Sequence, residues 1–506
     1  MKPVLPFLLT AMLAGCAVGP DYATPDVRQP DSFAAAAPDQ KGPGPEIGHW
    51  WRILGDPVLD SLVERAAAAN PDVEIALTRL QEAKTEEAVL LGYALPTADA
   101  AGTLGNGTGS DLSRGRVPST LYSADSTAAS PTKQIKQIAG FDAVWELDLF
   151  GQYRRALEAG IYDAQAAAEA RNAVLVGVIS DVVRAYVDLR GLQLRLAVLT
   201  QDIDASTKSR DFVKIRFERG LTNELDLTLA ERELSGLKAQ LAPLAAQRDA
   251  ARYTIATLLG LYPEQLKDEL AEVKPIPSLP TRIEPGLPLD LIKRRPDIRQ
   301  SERQLAAATA RIGVSIGNLF PHVGLAGSAG TQFAHVGAGS DSGEHIWSFG
   351  PAAYWPVLDF GSLDAQVDID DLRSHEHLVG YRRAVINAVR DVDIAVQNFS
   401  AEQDSVAQLS DALAQAQRAV GLATERYNRG LTDFLNVVDA ERRLYALEAQ
   451  VIQAQQGAAE GFVAVYRNLG GGWQDYQSTP DVRIPHPAVV AMVERLITPQ
   501  HEDLMK

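Results

Sequence analysis

The 506-residue sequence has a single cysteine, Cys16. A disulfide framework is therefore excluded, and packing has to hold the fold. Positive charge is scarce too: 65 acidic against 48 basic residues leave a formal charge of −17, which argues against a nucleic-acid partner. After Cys16 there is no apolar run long enough for an inner-membrane helix. Proline is missing from Gly151 to Arg219, an interval far longer than the usual globular helix. A catalytic constellation is also lacking. No nucleophile–base pair stands out, and His375 and His377, two apart, would sit on different faces of a helix. The run Gly105-Asn-Gly-Thr-Gly lacks the strand-to-helix setting of a phosphate loop. The chain does not read as an enzyme.

What it does contain is one unit twice. Arg216-Phe-Glu-Arg-Gly-Leu-Thr reappears as Arg426-Tyr-Asn-Arg-Gly-Leu-Thr, and nine of seventeen positions agree between residues 216–232 and 426–442. Such agreement marks an internal repeat. Trp145, Phe150 and Gly151 meet Trp355, Phe360 and Gly361 at the same offset of 210, while Pro71-Asp72-Val73 and Pro96 meet Pro296-Asp297-Ile298 and Pro321 at 225. The first copy therefore carries a longer loop between Pro96 and Trp145, within a Ser/Thr-rich run to Thr132. The copies span about residues 50–286 and 287–472, and residues 473–506 form a C-terminal tail.

Residues 1–15 offer one positive charge, a short apolar core and small residues, the pattern of an export signal. Leu13-Ala14-Gly15-Cys16 looks like a bacterial lipoprotein cleavage and acylation site. The alternative is a free thiol in an ordinary signal. A covalent lipid on Cys16 is the only prosthetic group predicted, and several acyl chains would tether the protein firmly. Residues 16–49, with six prolines from Pro20 to Pro45, read as an extended leash along the surface.

Apolar residues at Leu189, Leu192, Leu196, Leu199 and Ile203 alternate steps of three and four, which is a coiled-coil seam. After Gly220 the pattern resumes at Leu227, Leu234, Leu237, Leu241 and Leu244, so the chain reverses there. Thr222 or Asn223 could cap the returning helix. Phe360 to Arg429, a turn at Gly430, and Leu444, Leu447 and Val451 repeat the scheme. Two long antiparallel hairpins, at about 151–261 and 360–470, are predicted.

A different period precedes each hairpin. Phe141, Ala143, Trp145, Leu147 and Leu149 alternate with largely polar positions, and Trp347, Phe349, Ala353, Trp355 and Val357 do likewise. With small-residue partners near 95–105 and 320–330, strands at about 137–149 and 345–358 make four. Four strands cannot close a barrel, and an open edge is forbidden in a bilayer, so several chains must share one. The plainer alternative is a small soluble β-domain capping a helical rod.

Taken whole, the mature chain resembles the TolC-type outer membrane efflux lipoproteins. The resemblance is carried by His49-Trp-Trp-Arg-Ile-Leu-Gly-Asp-Pro, Trp145-Glu-Leu-Asp-Leu-Phe-Gly, Arg294-Arg-Pro-Asp-Ile-Arg-Gln-Ser-Glu-Arg-Gln-Leu, Ala310-Arg-Ile-Gly and the two Arg-Gly-Leu-Thr turns. It implies a mainly α protein with a membrane β portion. Three chains form an α-helical barrel and share a twelve-stranded transmembrane β-barrel, with two structural repeats per chain. It also implies a lipid-anchored place in the outer membrane of a Gram-negative bacterium, extending into the periplasm. The partners would be a periplasmic adaptor, a proton-driven inner-membrane pump and outer-membrane lipid, and the role that of a passive exit duct for small toxic compounds. A duct for type I protein secretion and a non-conducting coiled-coil scaffold stay open as alternatives.

The resemblance further points to particular residues. Arg219, Gly220, Leu221, Arg429, Gly430 and Leu431 fall where such proteins meet their adaptor, although helix punctuation alone would account for the glycines. Asp226, Asn436 and Asp439, with Asp433 and Glu224 at the same level, match positions that narrow the periplasmic aperture. Three copies of an aspartate would form a ring attracting cations. Asn436 stands where some relatives have an aspartate, so this ring would carry less charge. Asp226 and Asp439 could equally be first-turn carboxylates stabilised by the helix dipole.

Overall fold

Proline in the first helical turn, with a polar residue just before it, starts the early helices. The computed structural model describes residues 17–28, 30–35, 46–108, 133–283, 285–286, 288–336 and 340–476. Helix α1 (Pro57–Ala69) is capped by Asp56, whose carboxylate accepts from the Val58 amide at 2.9 Å. Helix α2 (Pro71–Tyr93) is capped by Asn70, which accepts from the amides of Asp72 and Val73. Strands β1 (Thr97–Thr108) and β2 (Lys133–Leu147) follow, then helix α3 (Gln152–Glu218) and its return partner α4 (Glu224–Leu258). The same order comes again: α5 (Pro288–Arg294), α6 (Pro296–Gly317), β3 (His322–Val336), β4 (Ser340–Tyr354), α7 (Ser362–Asn428) and α8 (Leu435–Asn468).

Helices α3 and α7 are both 67 residues long. At 1.5 Å per residue each runs about 100 Å. Both start at a carboxylate cap where strand gives way to helix. Asp148 accepts from the amides of Tyr153 and Arg154, and Asp359 from those of Gly361 and Leu363. These amides hold the Asp359 carboxyl below its ordinary range. Paired tryptophans brace the same junctions. The Trp145 indole donates to the Ala94 carbonyl at 3.1 Å, and Trp355 to the Leu319 carbonyl at 3.0 Å.

The four strands form one antiparallel sheet in the order β1-β2-β3-β4. Phe141, Ala329 and Trp347 are register partners on one face, with Ala143, Gly327 and Phe349 in the next row of that face. The intervening row is Asp99, Asp142, Ser328 and Ser348, which face the other way. The strands begin and end a few residues away from the bounds predicted from sequence. Leu149, Trp355 and Val357 lie past the strand ends: Asp148, just after β2, already caps the coming helix, and β4 stops at Tyr354, whose partner His322 is the first residue of β3, with Pro356 unable to donate to a ladder. The long loop to Thr132 lies outside the described residues.

The core sits at mid-length, where Trp50 stacks on Tyr466 at 5.3 Å beside Phe462, Leu175 and Ile179. Arg294 and Arg295, whose partners could not be read from sequence, pair with Asp290 and Asp297. Arg295 also donates to the Asn468 carbonyl at 2.9 Å. Trp473 returns to this region and donates to the Arg294 carbonyl, so the start of the tail packs there; the tail from 477 onward lies outside the described residues. The leash is pinned as well as extended. Buried Arg155 bonds the Val18 and Gly19 carbonyls and the Asp21 carboxylate, and Phe33 is buried.

No helix among the described residues is long and apolar enough to cross a membrane. The sheet carries exposed aromatics on one face: Trp347 is 78% exposed, Phe349 74% and Phe141 68%. A second exposed apolar set runs along α7 at Ile369, Leu372, Val379, Ile386 and Ile394. Its spacing of mostly seven or eight residues makes one stripe on one helix face.

Candidate functional site at the hairpin tips

Each long helix ends in the same hydrogen-bonded turn. At the first tip the Gly220 amide donates to the Phe217 carbonyl and the Leu221 amide to the Arg216 carbonyl, both at 2.9 Å. At the second, Gly430 and Leu431 donate to Tyr427 and Arg426 in the same way. This is the Schellman ending, which needs a left-handed residue. Gly220 and Gly430 supply it with φ of 71° and 68°. Nothing within 4 Å would obstruct a side chain at either glycine, so backbone conformation alone selects them.

The turn leaves apolar side chains in solvent. Leu221 and Leu431 are each 63% exposed, and Leu225 and Leu435 project beside them. Arg219 is exposed, and Arg429 is exposed while pairing with Glu425. Behind the tips the two hairpins lock together through Val213, Ala230, Tyr427, Phe434, Val437 and Val438. The Arg216 guanidinium lies 4.9 Å from the Tyr427 ring centroid, and Tyr427 meets Phe434 at 5.2 Å. These aromatic and cation–π partners were missed in the sequence, where Arg216 and Tyr427 read only as the ends of helices.

The two tips differ where the returning helix begins. Asn223 caps α4, accepting from the Asp226 amide at 2.9 Å, while Thr222 donates to the Asp226 carboxylate. Asp226 is only 8% exposed as a result. At the second tip Asn436 replaces that carboxylate and turns its own amide toward the Asp433 carbonyl at 3.4 Å. The Thr432 hydroxyl, equivalent to Thr222, is left buried with no partner. Glu224, Asp433, Asn436 and Asp439 are exposed, and Asp439 pairs with Arg443 at 3.0 Å. Cys16 lies outside the described residues; Ala17, next to it, packs against Gly151 where α3 begins.

Farther from the tips, carboxyl groups face one another across α3 and α8. Asp188 and Glu460 share the Gln456 amide, at 2.5 and 3.2 Å, and burial with the nearby Asp188 raises the Glu460 carboxyl. Closer to the tips, Asp202 shares a hydrogen bond with Glu448, and burial with that neighbour lifts Asp202 well above the usual carboxylate range. Burial, with Glu233 close by, pushes Glu441 up to about 7, against a hydrogen bond from Ser209. Sequence reading passed over these groups although they interrupt the apolar seam: Asp202 falls between Leu199 and Ile203.

Hairpins this long, carried on a four-stranded antiparallel sheet, are the fold of outer-membrane channels. The chain superposes on the solved outer-membrane channel OprN with a TM-score of 0.79 and 32% identity, covering 91% of this chain and 100% of that one. It belongs to the family described as Outer membrane efflux protein, which matches residues 62–261 and 287–471. Among curated relatives it is 29% identical over 462 residues to Nodulation protein T of Rhizobium leguminosarum bv. trifolii, covering 91% of this chain and 96% of that protein. It is 26% identical over 478 residues to the Cation efflux system protein CusC of Escherichia coli O6:H1, covering 93% and 99%. The chain is thus an outer-membrane protein with the general role of an efflux channel.

Proposed function

We propose that three copies of this chain join their sheets into a twelve-stranded transmembrane barrel and their hairpins into a periplasmic tube, forming the exit duct of a tripartite efflux pump. The open sheet carries this reading. Among the described residues, strand β1 pairs only with β2 and β4 only with β3, while one sheet face bears exposed Phe141, Trp347 and Phe349. Lipid suits that face, but unpaired strand edges in lipid do not persist, so neighbouring copies supply the missing partners. The apolar stripe on α7 gives the copies a second surface to bury. Duplicated element order in each of three chains would give the tube a pseudo-six-fold wall.

In this arrangement a lipid on Cys16 reinforces the attachment, since Ala17 is held at the strand–helix junction. Arg219, Gly220, Leu221, Arg429, Gly430 and Leu431 dock a periplasmic adaptor, with the exposed leucines as its apolar anchors. Glu224, Asp433, Asn436 and Asp439 line the aperture, with Asp226 fixed just behind them by Thr222. The energy comes from an inner-membrane pump driven by protons, and the cargo is small toxic compounds. Purified protein in a planar bilayer tests the duct: it should conduct in defined steps with cations favoured. Silence in a bilayer known to contain the folded protein would refute conduction.

A further inference from the structure

We propose that the seam between α3 and α8 is a proton-sensitive latch: buried and half-buried carboxyl groups across it hold the two hairpins together when protonated and drive them apart when ionised. The register sets the groups in line. Asp181 meets Arg467 at 3.3 Å, Asp188 and Glu460 share Gln456, Asp202 meets Glu448, and Glu441 meets Ser209. The end nearest mid-length thus carries a charge pair, while the reach toward the tips carries like-charged acids. Asp202 and Tyr445 are buried there, and one oxygen of Glu448 is buried with no hydrogen-bond partner. Two carboxyl groups in contact cannot both ionise without repulsion, whereas one shared proton turns the contact into a hydrogen bond.

Around the seam, Arg184 lowers the Glu460 carboxyl but pairs with Asp181 at 3.8 Å. On α4, Glu233 adds negative charge and is paired with Arg442 of α8 at 3.5 Å, while Lys238 is exposed. On α3, Lys208 is exposed and Arg210 pairs with Asp211 at 2.7 Å. On α7, Asp411 and Arg418 are exposed, and on α8 Arg443 pairs with Asp439. Tyr445 stands amid Glu441, Asp202, Glu448 and Glu233, and burial with all four raises its hydroxyl.

The direction of the pH effect follows from linkage. Glu441 binds its proton up to about 7 in the packed seam but only in the ordinary carboxylate range when solvated. Packing is therefore fully favoured in acid. It weakens as pH rises from the ordinary range through about 7, by roughly tenfold in equilibrium constant per pH unit. The Arg216–Tyr427 contact keeps the tips joined as the seam above them loosens. The latch rests on packing within one chain, so it stands or falls separately from conduction.

A thiol placed in the seam tests it. Full-length protein carrying Ser206→Cys, at a buried α3 position, is labelled with iodoacetamide at about pH 5.5 and about pH 8. The same substitution is placed in an Asp202→Asn/Glu441→Gln background, and protein without it reports any labelling of Cys16. Dividing the first rate by the second cancels the reactivity of the thiol itself. The ratio should rise about tenfold or more from the lower to the higher pH. An unchanged ratio overturns the latch. Should the double variant fold poorly, melting curves of Glu441→Gln alone decide: a flatter pH dependence than the parent supports the latch, and an identical one contradicts it.

Discussion

One of the differences between the two tips, Asp226 against Asn436, has measurable consequences. Asp226 accepts a hydrogen bond from Thr222, while Asn436 leaves the Thr432 hydroxyl buried and alone. Asn436→Asp should give Thr432 an acceptor and place a carboxylate in the first turn of α8. The gain is about 1 kcal/mol, seen as a higher melting temperature. If Asn436 also lines the aperture, the reversal potential in a salt gradient shifts toward stronger cation preference; a shift in melting temperature alone would confine the residue to helix capping. The exposed leucines allow another separation of roles. Replacing Leu221 and Leu431 with glutamate should abolish crosslinking to the adaptor while assembly persists, because neither side chain supports the packing behind the tips. Crosslinking at the parental level would remove the docking role.

Among the elements, α7 shows most clearly what one chain leaves unfinished. Leu372 is 68% exposed and Ile386 67%, on a helix whose opposite face is buried at Tyr381, Val385, Ala388 and Val392. Leu372→Asp/Ile386→Asp should prevent association of copies while helical content by circular dichroism is retained. Persistence of the oligomer would show that the stripe is not an interface. The helices were the legible part of the sequence: the period-3.5 seam, the proline starts and the two Arg-Gly-Leu-Thr turns reflect local rules that repeat over many residues. Strand ends were less legible, since they depend on where the partner strand runs out, as His322 of β3 does opposite Tyr354 of β4. The carboxyl pairs were hidden for a different reason. Asp202 lies on α3 and Glu448 on α8, and only the packing of one hairpin against the other brings them together.

For the whole molecule, the governing fact is a sheet with too few strands. Among the described residues, two 67-residue helices on four strands form a long object whose sheet is apolar on one face and open along two edges. Burying those edges is the strongest reason for copies to associate, and every reading of the tips as a ring depends on it. Native mass spectrometry of the intact protein in detergent tests this most directly. Three chains in one particle, with the monomer appearing only as helical content is lost, is the predicted result. A stable, fully folded single chain would contradict the account.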